Sequence, residues 1–212
     1  MTKTYWDKGY WERHLSEPQR MDIFENLWIR KHQQLIDTLE KGTVLDLGCE
    51  IGQHTDYWFA NGFDVISADI SDIALEALKK RTPYAKTIQL DMSKSLPFCN
   101  DSMDIVFANL SIHFFDEYTT QNLANEIERI LKPSGLFIGS VNSSKAYVFV
   151  KDKAQVLDRN YYLIGERYIR LFDRESFDLF FDNFEMVSLE ETHIKRFKGD
   201  KDMWEFIYRK KS

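Results

Sequence analysis

The stretch that decides the fold is TVLDLGCEIG, residues 43–52. Its first five residues are rich in apolar side chains, as in a parallel strand that is buried on both faces. Gly48 follows at once and ends the strand, because glycine adopts backbone conformations that other residues avoid. The stretch therefore predicts a buried strand that runs into a glycine-containing loop, which is typical of α/β proteins.

Strands and helices alternate around this stretch. Four more strands are predicted from apolar runs at residues 63–68, 86–90, 103–108 and 136–141. Helices are predicted at residues 22–39, 53–60 and 71–81, and from Thr120 onwards. Such alternation describes βαβ units, and therefore a parallel sheet with helices on both faces.

The last third of the chain differs in composition. Ten aromatic residues fall within residues 147–184, and this part shows no clear strand pattern. Asp173 is a suitable N-cap for a helix that reaches Phe181. Residues 185–196 and 204–210 flank Lys198-Gly199-Asp200 and predict an antiparallel hairpin. We expect the aromatic part to be an insertion added to the α/β core.

Length and composition limit the classes of function. A chain of 212 residues with 43% hydrophobic residues suits a single domain with its own core. The formal net charge of −6 disfavours nucleic acid and anionic membranes as partners, which leaves small molecules as the expected class. Cys49 and Cys99 form no disulfide framework, and no apolar run suits a membrane span or a secretion signal. We therefore expect a cytoplasmic protein, with monomer and homodimer both open.

Acidic and amide side chains stand at the ends of the predicted strands. Asp46 lies within the first strand, and Asp69, Asp91 and Asn109 follow the next three. Ligands of parallel sheets bind outside the carboxyl ends of the strands, so these side chains lie where binding is expected. Asp69 is 21 residues beyond Gly48, a position that suits a carboxylate accepting both hydroxyls of a ribose. The pattern predicts a cofactor that contains a nucleoside.

The loop after the first strand indicates which nucleoside cofactor fits. A GxGxxG fingerprint needs glycines at positions 48, 50 and 53, but Glu50 and Gln53 occupy the last two. The carboxylate of Glu50 would repel the pyrophosphate of a dinucleotide. S-adenosylmethionine carries no phosphate, and it bears a sulfonium and an ammonium against one carboxylate. An acidic loop therefore favours S-adenosylmethionine over NAD or FAD.

Several short motifs resemble those of one enzyme family. VLDLGCEIG at residues 44–52 resembles the first motif of the class I S-adenosylmethionine-dependent methyltransferases, commonly written VLDLGCGTG. Asp69-Ile70-Ser71 resembles the acidic second motif, Leu90-Asp91-Met92 the third, and LKPSGL at 131–136 the turn before strand five. The resemblance covers roughly residues 40–142 and is to a type 11-like methyltransferase domain. It implies a doubly wound, Rossmann-like, seven-stranded sheet in the order 3-2-1-4-5-7-6, with strand seven antiparallel and an N-terminal helical extension.

The resemblance also implies the organisation of the chain. We expect one methyltransferase domain over residues 1–212, with four parts in sequence. These are an N-terminal helical cap at 1–40, a cofactor-binding core at 41–142, an aromatic-rich substrate or lid insertion at 143–183 and the C-terminal β-hairpin at 184–212. The aromatic insertion is either a substrate-recognition element or the satellite core of a small helical cap.

Carried over residue by residue, the resemblance implies a cofactor site. Its members are Tyr10, Asp46, Gly48, Cys49, Glu50, Gly52, Asp69, Ile70, Asp91, Met92 and Asn109. Gly48 and Gly52 would let the backbone approach the methionyl group, and Asp69 would hold the ribose. Ile70 and Met92 would enclose the adenine. Asp91 would lie near the adenine amine, Asn109 near the methionyl end, and Tyr10 would fold over the cofactor. The family motif has glycine where this chain has Glu50. Three roles stay open for Glu50: it crowds the methionyl group, it binds the ammonium, or it is a solvated loop acid.

Methyl transfer is an in-line displacement, so the protein mainly supplies alignment and desolvation, with a general base in some cases. His113, in SIHFF at residues 111–115, is the candidate catalytic base and a candidate substrate contact, with packing or hydrogen bonding as the alternative. Arg170 is predicted either to clamp an anionic substrate or to pair with a nearby acid. The remaining histidines are scattered, so no metal site is expected.

The leading hypothesis is an S-adenosylmethionine-dependent methyltransferase that acts on a small molecule. The alternatives are a methyltransferase for a protein or nucleic acid, and a non-catalytic module that binds the cofactor. Asn109-Leu110-Ser111-Ile112 lacks the Asn-Pro-Pro-Tyr-like pattern of amino-methylating nucleic-acid enzymes, and Cys99 follows Phe98 rather than proline. A protein acceptor is less easily excluded.

Overall fold

The computed structural model describes residues 2–15, 27–149, 151–194 and 201–211. Seven strands form one sheet in the order β3-β2-β1-β4-β5-β10-β9. Its strands are β1 (Thr43–Leu47), β2 (Asp64–Asp69), β3 (Lys86–Gln89), β4 (Met103–Asn109), β5 (Leu131–Asn142), β9 (Phe184–Ile194) and β10 (Lys201–Lys210). The predicted order 3-2-1-4-5-7-6 is confirmed, because β10 lies antiparallel to β5 and takes the place of strand seven.

The chain groups into two compact units, Thr2–Asp91 and Met92–Ser212. In the first unit, β1 pairs in parallel with β2, and β2 pairs in parallel with β3. The connecting helices are α3 (Gln53–Ala60) and α4 (Asp72–Arg81). Ser71 caps α4 by accepting a 3.2 Å hydrogen bond from the Ala74 N–H, as its hydroxyl predicts. The expectation of a single domain stays a prediction.

The N-terminal part of the first unit is helical. Tyr5–Trp11 forms a π-helix that continues into α1 (Glu12–Leu15). A 3-10 turn at Trp28–His32 leads into α2 (Gln33–Thr38). The predicted helix over residues 22–39 is thus wrong in its described part, where a tighter turn precedes a shorter α-helix. Residues 22–26 of this prediction lie outside the described residues.

The second unit holds the rest of the sheet. Here α5 (Glu117–Ile130) begins before Thr120, where the sequence predicted its start, because Asp116 accepts a hydrogen bond from the Thr119 N–H. The pairing of β5 with β4 shifts from Met103↔Leu131 to Ile105↔Leu136, so residues 132–135 form a bulge inside the bounds of β5. The C-terminal hairpin of β9 and β10 is confirmed, with residues 195–200 of its turn outside the described residues.

The aromatic insertion contains strands that the sequence did not predict. A three-stranded antiparallel sheet is formed by β6 (Ala154–Asp158), β7 (Tyr161–Ile164) and β8 (Arg167–Arg170). Two residues join each pair of strands, and Asn160 and Gly165 supply the positive φ angles, 55° and 61°, that such tight turns require. The expectation of no clear strand, and of a helical cap, is therefore wrong. The strands have four or five residues, too few for a clear alternating pattern.

The remaining aromatic residues of this region build a core. The helix α6 (Arg174–Phe180) has the predicted Asp173 cap, completed as a capping box with Ser176. Phe177 and Phe181 face Phe206 of β10, with ring centroids 5.8 and 5.6 Å apart. Edge-to-face and tilted pairs at this distance add to the stabilisation that area burial gives. These side chains are therefore packed within the second unit.

Candidate functional site

The loop after β1 is held against the end of β2. The N–H groups of Gly48 and Cys49 both donate to the carbonyl of Ala68, at 2.7 and 2.9 Å. The Gly52 N–H closes a turn by donating to the carbonyl of Cys49 at 2.8 Å. Gly48 and Gly52 have φ angles of 78° and 85°, in the left-handed region that favours glycine. The loop therefore has a fixed, tightly turned backbone at the carboxyl end of β1.

Glu50 also has a left-handed backbone conformation, with φ of 52°. A residue with a Cβ is uncommon there, which gives a physical reason for the glycine that the family motif has at this position. The Glu50 N–H donates a 3.0 Å hydrogen bond to Asp69 Oδ2. The loop thus keeps its turned shape without glycine, and Glu50 places a carboxylate beside the strand ends.

Asp69 is the last residue of β2 and is 8% exposed. Its two carboxylate oxygens accept backbone N–H groups, one from Glu50 at 3.0 Å and one from Ser71 at 2.9 Å. Burial raises the pKa of Asp69 to about 6, although these backbone hydrogen bonds oppose the shift. The Ile70 N–H is a third backbone group that hydrogen-bonds to Asp69. Because an ionised carboxylate has about four lone-pair sites, the fixed carboxylate can still accept a hydroxyl group.

Asp46 lies inside β1 and is 2% exposed. Its Oδ2 accepts a 2.7 Å hydrogen bond from Thr55 Oγ1. Thr55 Oγ1 also lies 2.9 Å from Ser67 Oγ, and since its one proton goes to Asp46, Ser67 is the donor in that contact. Burial raises the pKa of Asp46 to about 7, and the charges of Asp69 and Glu50 add to the shift. The Asp46 carboxyl therefore offers no exposed ligand atom, and it is ionised only as the pH rises through about 7.

Negative charge is concentrated at this edge of the first unit. Asp46, Glu50 and Asp69 are close enough for the charges of Glu50 and Asp69 to raise the pKa of Asp46. A cationic ligand would relieve this repulsion, whereas an anionic pyrophosphate would add to it. The fixed Asp69 carboxylate, the turned loop and this charge fit S-adenosylmethionine, which combines a ribose diol with a sulfonium and an ammonium.

A further residue of this site was missed by sequence reasoning. Asp7, in the N-terminal π-helix, accepts a 2.5 Å hydrogen bond from Ser71 Oγ. Lys3 pairs with both Asp7 and Asp72, which ties the same segment to the start of α4. Although burial opposes charge on Asp7, hydrogen bonds from Lys3 and Ser71 hold its pKa below the ordinary value. The sequence signal was weak, because only the spacing of Lys3 and Asp7 suggested a local pair.

The rings of the N-terminal segment form a cluster. Tyr10 lies between Trp6 and Trp11, with centroid distances of 5.4 and 5.0 Å in edge-to-face geometry. Trp11 is 2% exposed, whereas Tyr10 is half-buried. Trp11 is thus a core residue of the first unit. The predicted role of Tyr10 over the cofactor stays a prediction.

Cys49 and Gly52 have packing roles that the sequence did not reveal. The Cys49 side chain is buried in a cluster with Leu75 and Leu78 of α4, and its Sγ donates to the carbonyl of Glu50 at 3.6 Å. A Cβ on Gly52 would lie 2.2 Å from Leu78 Cδ1 and 2.9 Å from Arg81 Nη2. The absence of a side chain at position 52 therefore permits close approach of α4.

The other predicted cofactor residues lie in both units. In the first unit, Ile70 is half-buried directly after Asp69, and Asp91 is exposed beyond β3. In the second unit, Met92 is half-buried, and Asn109 ends β4 with its Oδ1 accepting a 2.7 Å hydrogen bond from Ser140 Oγ. The roles predicted for these four residues stay predictions.

His113 follows β4 in the second unit and is 3% exposed. Its ring centroid lies 4.3 Å from that of Phe114. Burial, reinforced by the charges of Lys201 and Arg167, holds the pKa of His113 well below its ordinary range. A neutral imidazole with so low a pKa is a weak base at neutral pH, so the geometry favours a hydrogen-bonding role.

Arg170 ends β8 and is 3% exposed. Its Nε donates to the carbonyl of Phe115 at 3.1 Å, and its Nη1 to the carbonyl of Arg159 at 3.4 Å. The guanidinium lies 5.1 Å from the ring centroid of Tyr161 and 5.4 Å from that of Phe180. No described carboxylate forms an ion pair with it. The predicted alternative of an ion pair with a nearby acid is therefore wrong for the described residues.

The described ranges lack two kinds of feature. These residues contain no cluster of three or more histidine, cysteine or acidic side chains arranged to hold a metal ion. Within the same ranges, no helix combines the length and apolar character required to cross a membrane.

Comparison with known proteins matches the fold to that of methyltransferases. A family model described as a methyltransferase domain matches residues 45–139. An uncharacterized methyltransferase of Synechocystis sp. is 34% identical over 94 residues, which is 44% of this chain and 44% of the relative. A solved S-adenosylmethionine-dependent methyltransferase from Methanosarcina mazei has a TM-score of 0.75 at 18% identity, over 88% of this chain and 99% of that one.

A second solved structure has ligands bound. It is the 1,6-didemethyltoxoflavin-N1-methyltransferase of Burkholderia thailandensis, with 1,6-didemethyltoxoflavin and S-adenosylhomocysteine. Its TM-score is 0.66 at 18% identity, over 87% of this chain and 75% of that one.

The matches confirm the resemblance predicted from the sequence motifs. The family model over residues 45–139 and the structural neighbours support a class I, S-adenosylmethionine-dependent methyltransferase fold, and the neighbours indicate S-adenosylmethionine as the cofactor. The matched segment spans less than half the length of the curated relatives, 44% in the Synechocystis protein.

Proposed function

We propose that this protein binds S-adenosylmethionine and transfers its methyl group to a small-molecule acceptor. The observation that carries the proposal is the Asp69 carboxylate, which the N–H groups of Glu50 and Ser71 fix at 3.0 and 2.9 Å at the end of β2. A carboxylate in fixed orientation that can still accept a hydrogen bond suits the hydroxyl groups of a ribose. The family match over residues 45–139 supports the same cofactor.

The residues of the first unit have distinct proposed roles. Asp69 accepts the ribose hydroxyls, and the turned backbone at Gly48 and Gly52 receives the methionyl group. Glu50 and Asp46 supply negative charge for the sulfonium and ammonium groups. Ile70 contacts the adenine, with Asp91 near its amine, and Tyr10 covers the cofactor. Bound S-adenosylmethionine supplies an electrophilic methyl group on sulfur. The chain's contribution is to orient the reactants and exclude water.

In the second unit, Met92 is proposed to contact the adenine and Asn109 the methionyl end. His113 and Arg170 are proposed to contact the acceptor, and His113 is proposed as a hydrogen-bonding residue because its low pKa makes it a poor base. A small acceptor is supported by the net charge of −6, which disfavours nucleic acid. A structural relative that holds 1,6-didemethyltoxoflavin adds support for a small acceptor.

Calorimetric titration tests the cofactor. S-adenosylmethionine and S-adenosylhomocysteine should bind, and NAD should not. Asp69→Ala should weaken binding by roughly 1 to 3 kcal/mol, since a charge-assisted contact is lost. Asp64→Ala is the matched control, because Asp64 begins the same strand and pairs with Lys86 at its exposed surface. Equal affinity of Asp69→Ala and wild type would show that the ribose is bound elsewhere.

Turnover is measured by the formation of S-adenosylhomocysteine. The protein and labelled S-adenosylmethionine are incubated with a small-molecule fraction, a protein fraction and a nucleic-acid fraction of a cell extract. Transfer of label into the small-molecule fraction alone supports the proposal. Label in protein or nucleic acid would replace the proposed acceptor class, and binding without turnover on any fraction would make the chain a non-catalytic module.

A further inference from the structure

Two buried nitrogen atoms of the second unit have no hydrogen-bond partner within the described ranges. They are Nη2 of Arg170 and Nδ1 of His113. Both residues are 3% exposed. A buried donor without a partner is unfavourable, and a buried charge without a counter-ion is more so. Such groups persist where a ligand supplies the missing partner or where strain is retained for function.

The two residues are neighbours in space. The Arg170 N–H donates a 2.8 Å hydrogen bond to the carbonyl of His113. The Arg170 Nε donates to the carbonyl of Phe115, two residues further along the same loop. The loop after β4 and the last residue of β8 are thereby joined at two points. Both atoms without partners belong to this one junction.

The charge at the junction is unbalanced. The charges of Glu117, Asp158 and Asp116 act on Arg170 and oppose the lowering of its pKa by burial, but none of the three forms an ion pair with its guanidinium. The rings of Tyr161 and Phe180 lie at 5.1 and 5.4 Å and form its remaining surroundings. Aromatic faces attract a guanidinium, but they do not neutralise its charge. The buried guanidinium therefore has no direct counter-ion among the described residues.

We infer that Arg170 and His113 bind a carboxylate of the methyl acceptor, with Arg170 supplying the charge and His113 one hydrogen bond. That the bound carboxylate belongs to the acceptor rests on the proposed function. Arginine is well suited to oxyanions, because its planar donors match two oxygens. A carboxylate carries one negative charge, which one guanidinium balances, whereas a phosphate dianion would bury a second charge without a partner.

Entry of the carboxylate requires a side chain to move, because Arg170 is 3% exposed. Tyr161, whose half-buried ring lies against the guanidinium, is the side chain that we expect to move. The bound anion would then replace part of the aromatic surroundings of the guanidinium. An aromatic acid is the simplest probe of such a site, since its ring suits the same apolar setting.

The experiment measures the shift in melting temperature caused by benzoate, with and without saturating S-adenosylhomocysteine. Phenyl phosphate and the neutral benzamide are the comparison probes. Wild-type protein should be stabilised by benzoate, less by phenyl phosphate and not by benzamide. Arg170→Met should lower the affinity for benzoate at least tenfold. Arg167→Met, which removes the same charge from the other end of β8, should retain it.

Arg170→Lys provides a second variant in case Arg170→Met fails to fold. Lysine keeps the charge but loses the planar donors, so we expect weakened benzoate binding with the fold retained. Absence of a benzoate shift in wild type, or equal shifts in wild type and both Arg170 variants, would overturn the inference. Titration of S-adenosylhomocysteine on the same proteins distinguishes this outcome from failure of the proposed function. We expect Arg170→Lys to retain its affinity for S-adenosylhomocysteine.

Discussion

Ser71 Oγ donates a 2.5 Å hydrogen bond to Asp7 Oδ1, and the backbone N–H of the same serine donates to Asp69 Oδ1 at 2.9 Å. One residue thus connects the N-terminal helical segment with the carboxylate proposed to bind ribose. Ser71 also caps α4. The position of the N-terminal segment and the orientation of Asp69 are therefore coupled within the first unit.

Asp7→Ala tests this coupling. The variant loses the hydrogen bond from Ser71 and the ion pair with Lys3, and we expect a loss of about 1 to 2 kcal/mol in the free energy of unfolding. Affinity for S-adenosylhomocysteine should also fall, since Ser71 no longer holds the segment. Urea unfolding followed by tryptophan fluorescence, together with calorimetry, measures both effects. Asp72→Ala is the control, because it removes only the other ion pair of Lys3. Equal behaviour of the two variants would contradict the coupling.

The α/β core could be predicted from sequence because its signals are local. The apolar strands, the Ser71 cap and the glycine that ends β1 each act within a few residues. The three short strands of the insertion were missed, since strands of four or five residues with mixed burial give no clear period. Their turn residues, Asn160 and Gly165, were the usable signal, because both occupy positions that require positive φ.

Replacement of Glu50 separates its backbone role from its charge. Glu50→Gly relieves a left-handed conformation that costs a residue with a Cβ roughly 1 kcal/mol, while glycine's extra freedom in the unfolded chain offsets part of the gain. We expect unfolding stability to be unchanged or slightly higher. Glu50→Gln keeps the Cβ but removes the charge, and we expect it to weaken binding of S-adenosylmethionine more than that of S-adenosylhomocysteine. Tighter binding of S-adenosylmethionine by both variants would mean that Glu50 crowds the site.

Cofactor affinity should depend on pH. The pKa of Asp69 is raised to about 6 and that of Asp46 to about 7, so both carboxyls gain protons as the pH falls through this range. A cationic ligand prefers the ionised forms, and affinity for S-adenosylmethionine should therefore rise as the pH is raised from about 5 to about 8. Calorimetry in buffers of different ionisation enthalpy should detect proton release on binding. Asp46→Asn should flatten the upper part of the profile, and a wild-type affinity independent of pH would refute the charge argument.

The same pKa shift predicts an effect on stability. Because the folded-state pKa of Asp46 lies above its ordinary value of 3.8, the folded protein holds a proton that the unfolded chain has lost. The resulting stabilisation is complete below about pH 4 and is lost as the pH rises through about 7. The asparagine side chain of the Asp46→Asn variant stays neutral at both pH values. The stability of this variant relative to wild type should therefore be greater at about pH 8 than at about pH 4. Chemical unfolding at both pH values measures the difference, and an equal difference at the two would mean that Asp46 titrates normally.

The site itself was only partly predictable. Asp69 and the glycines could be found because motif spacing places them at strand ends, whereas Asp7 reaches the site through a contact 64 residues along the chain. The junction of Arg170 with His113 is also long-range. The sequence predicted that Asp173, the closest acid after Arg170, caps α6, but not that its carboxylate pairs with Arg159. Only the packed structure shows which charges remain unbalanced.

Gly139 lies in β5, where close packing in the second unit should exclude a larger side chain. A Cβ at this position would lie 2.6 Å from the carbonyl oxygen of Ala108 and 2.5 Å from Cζ of Phe206. The ring could shift, but the backbone of β4 cannot do so without loss of pairing, so Gly139→Ala should cost about 1 to 3 kcal/mol of unfolding free energy. Gly9→Ala is the matched control, since the added Cβ would lie in ordinary contact, 3.7 Å from a Tyr5 side-chain atom, and alanine favours helices. Equal urea midpoints for the two variants would show that β4 and β5 are less tightly packed at Gly139 than the structure describes.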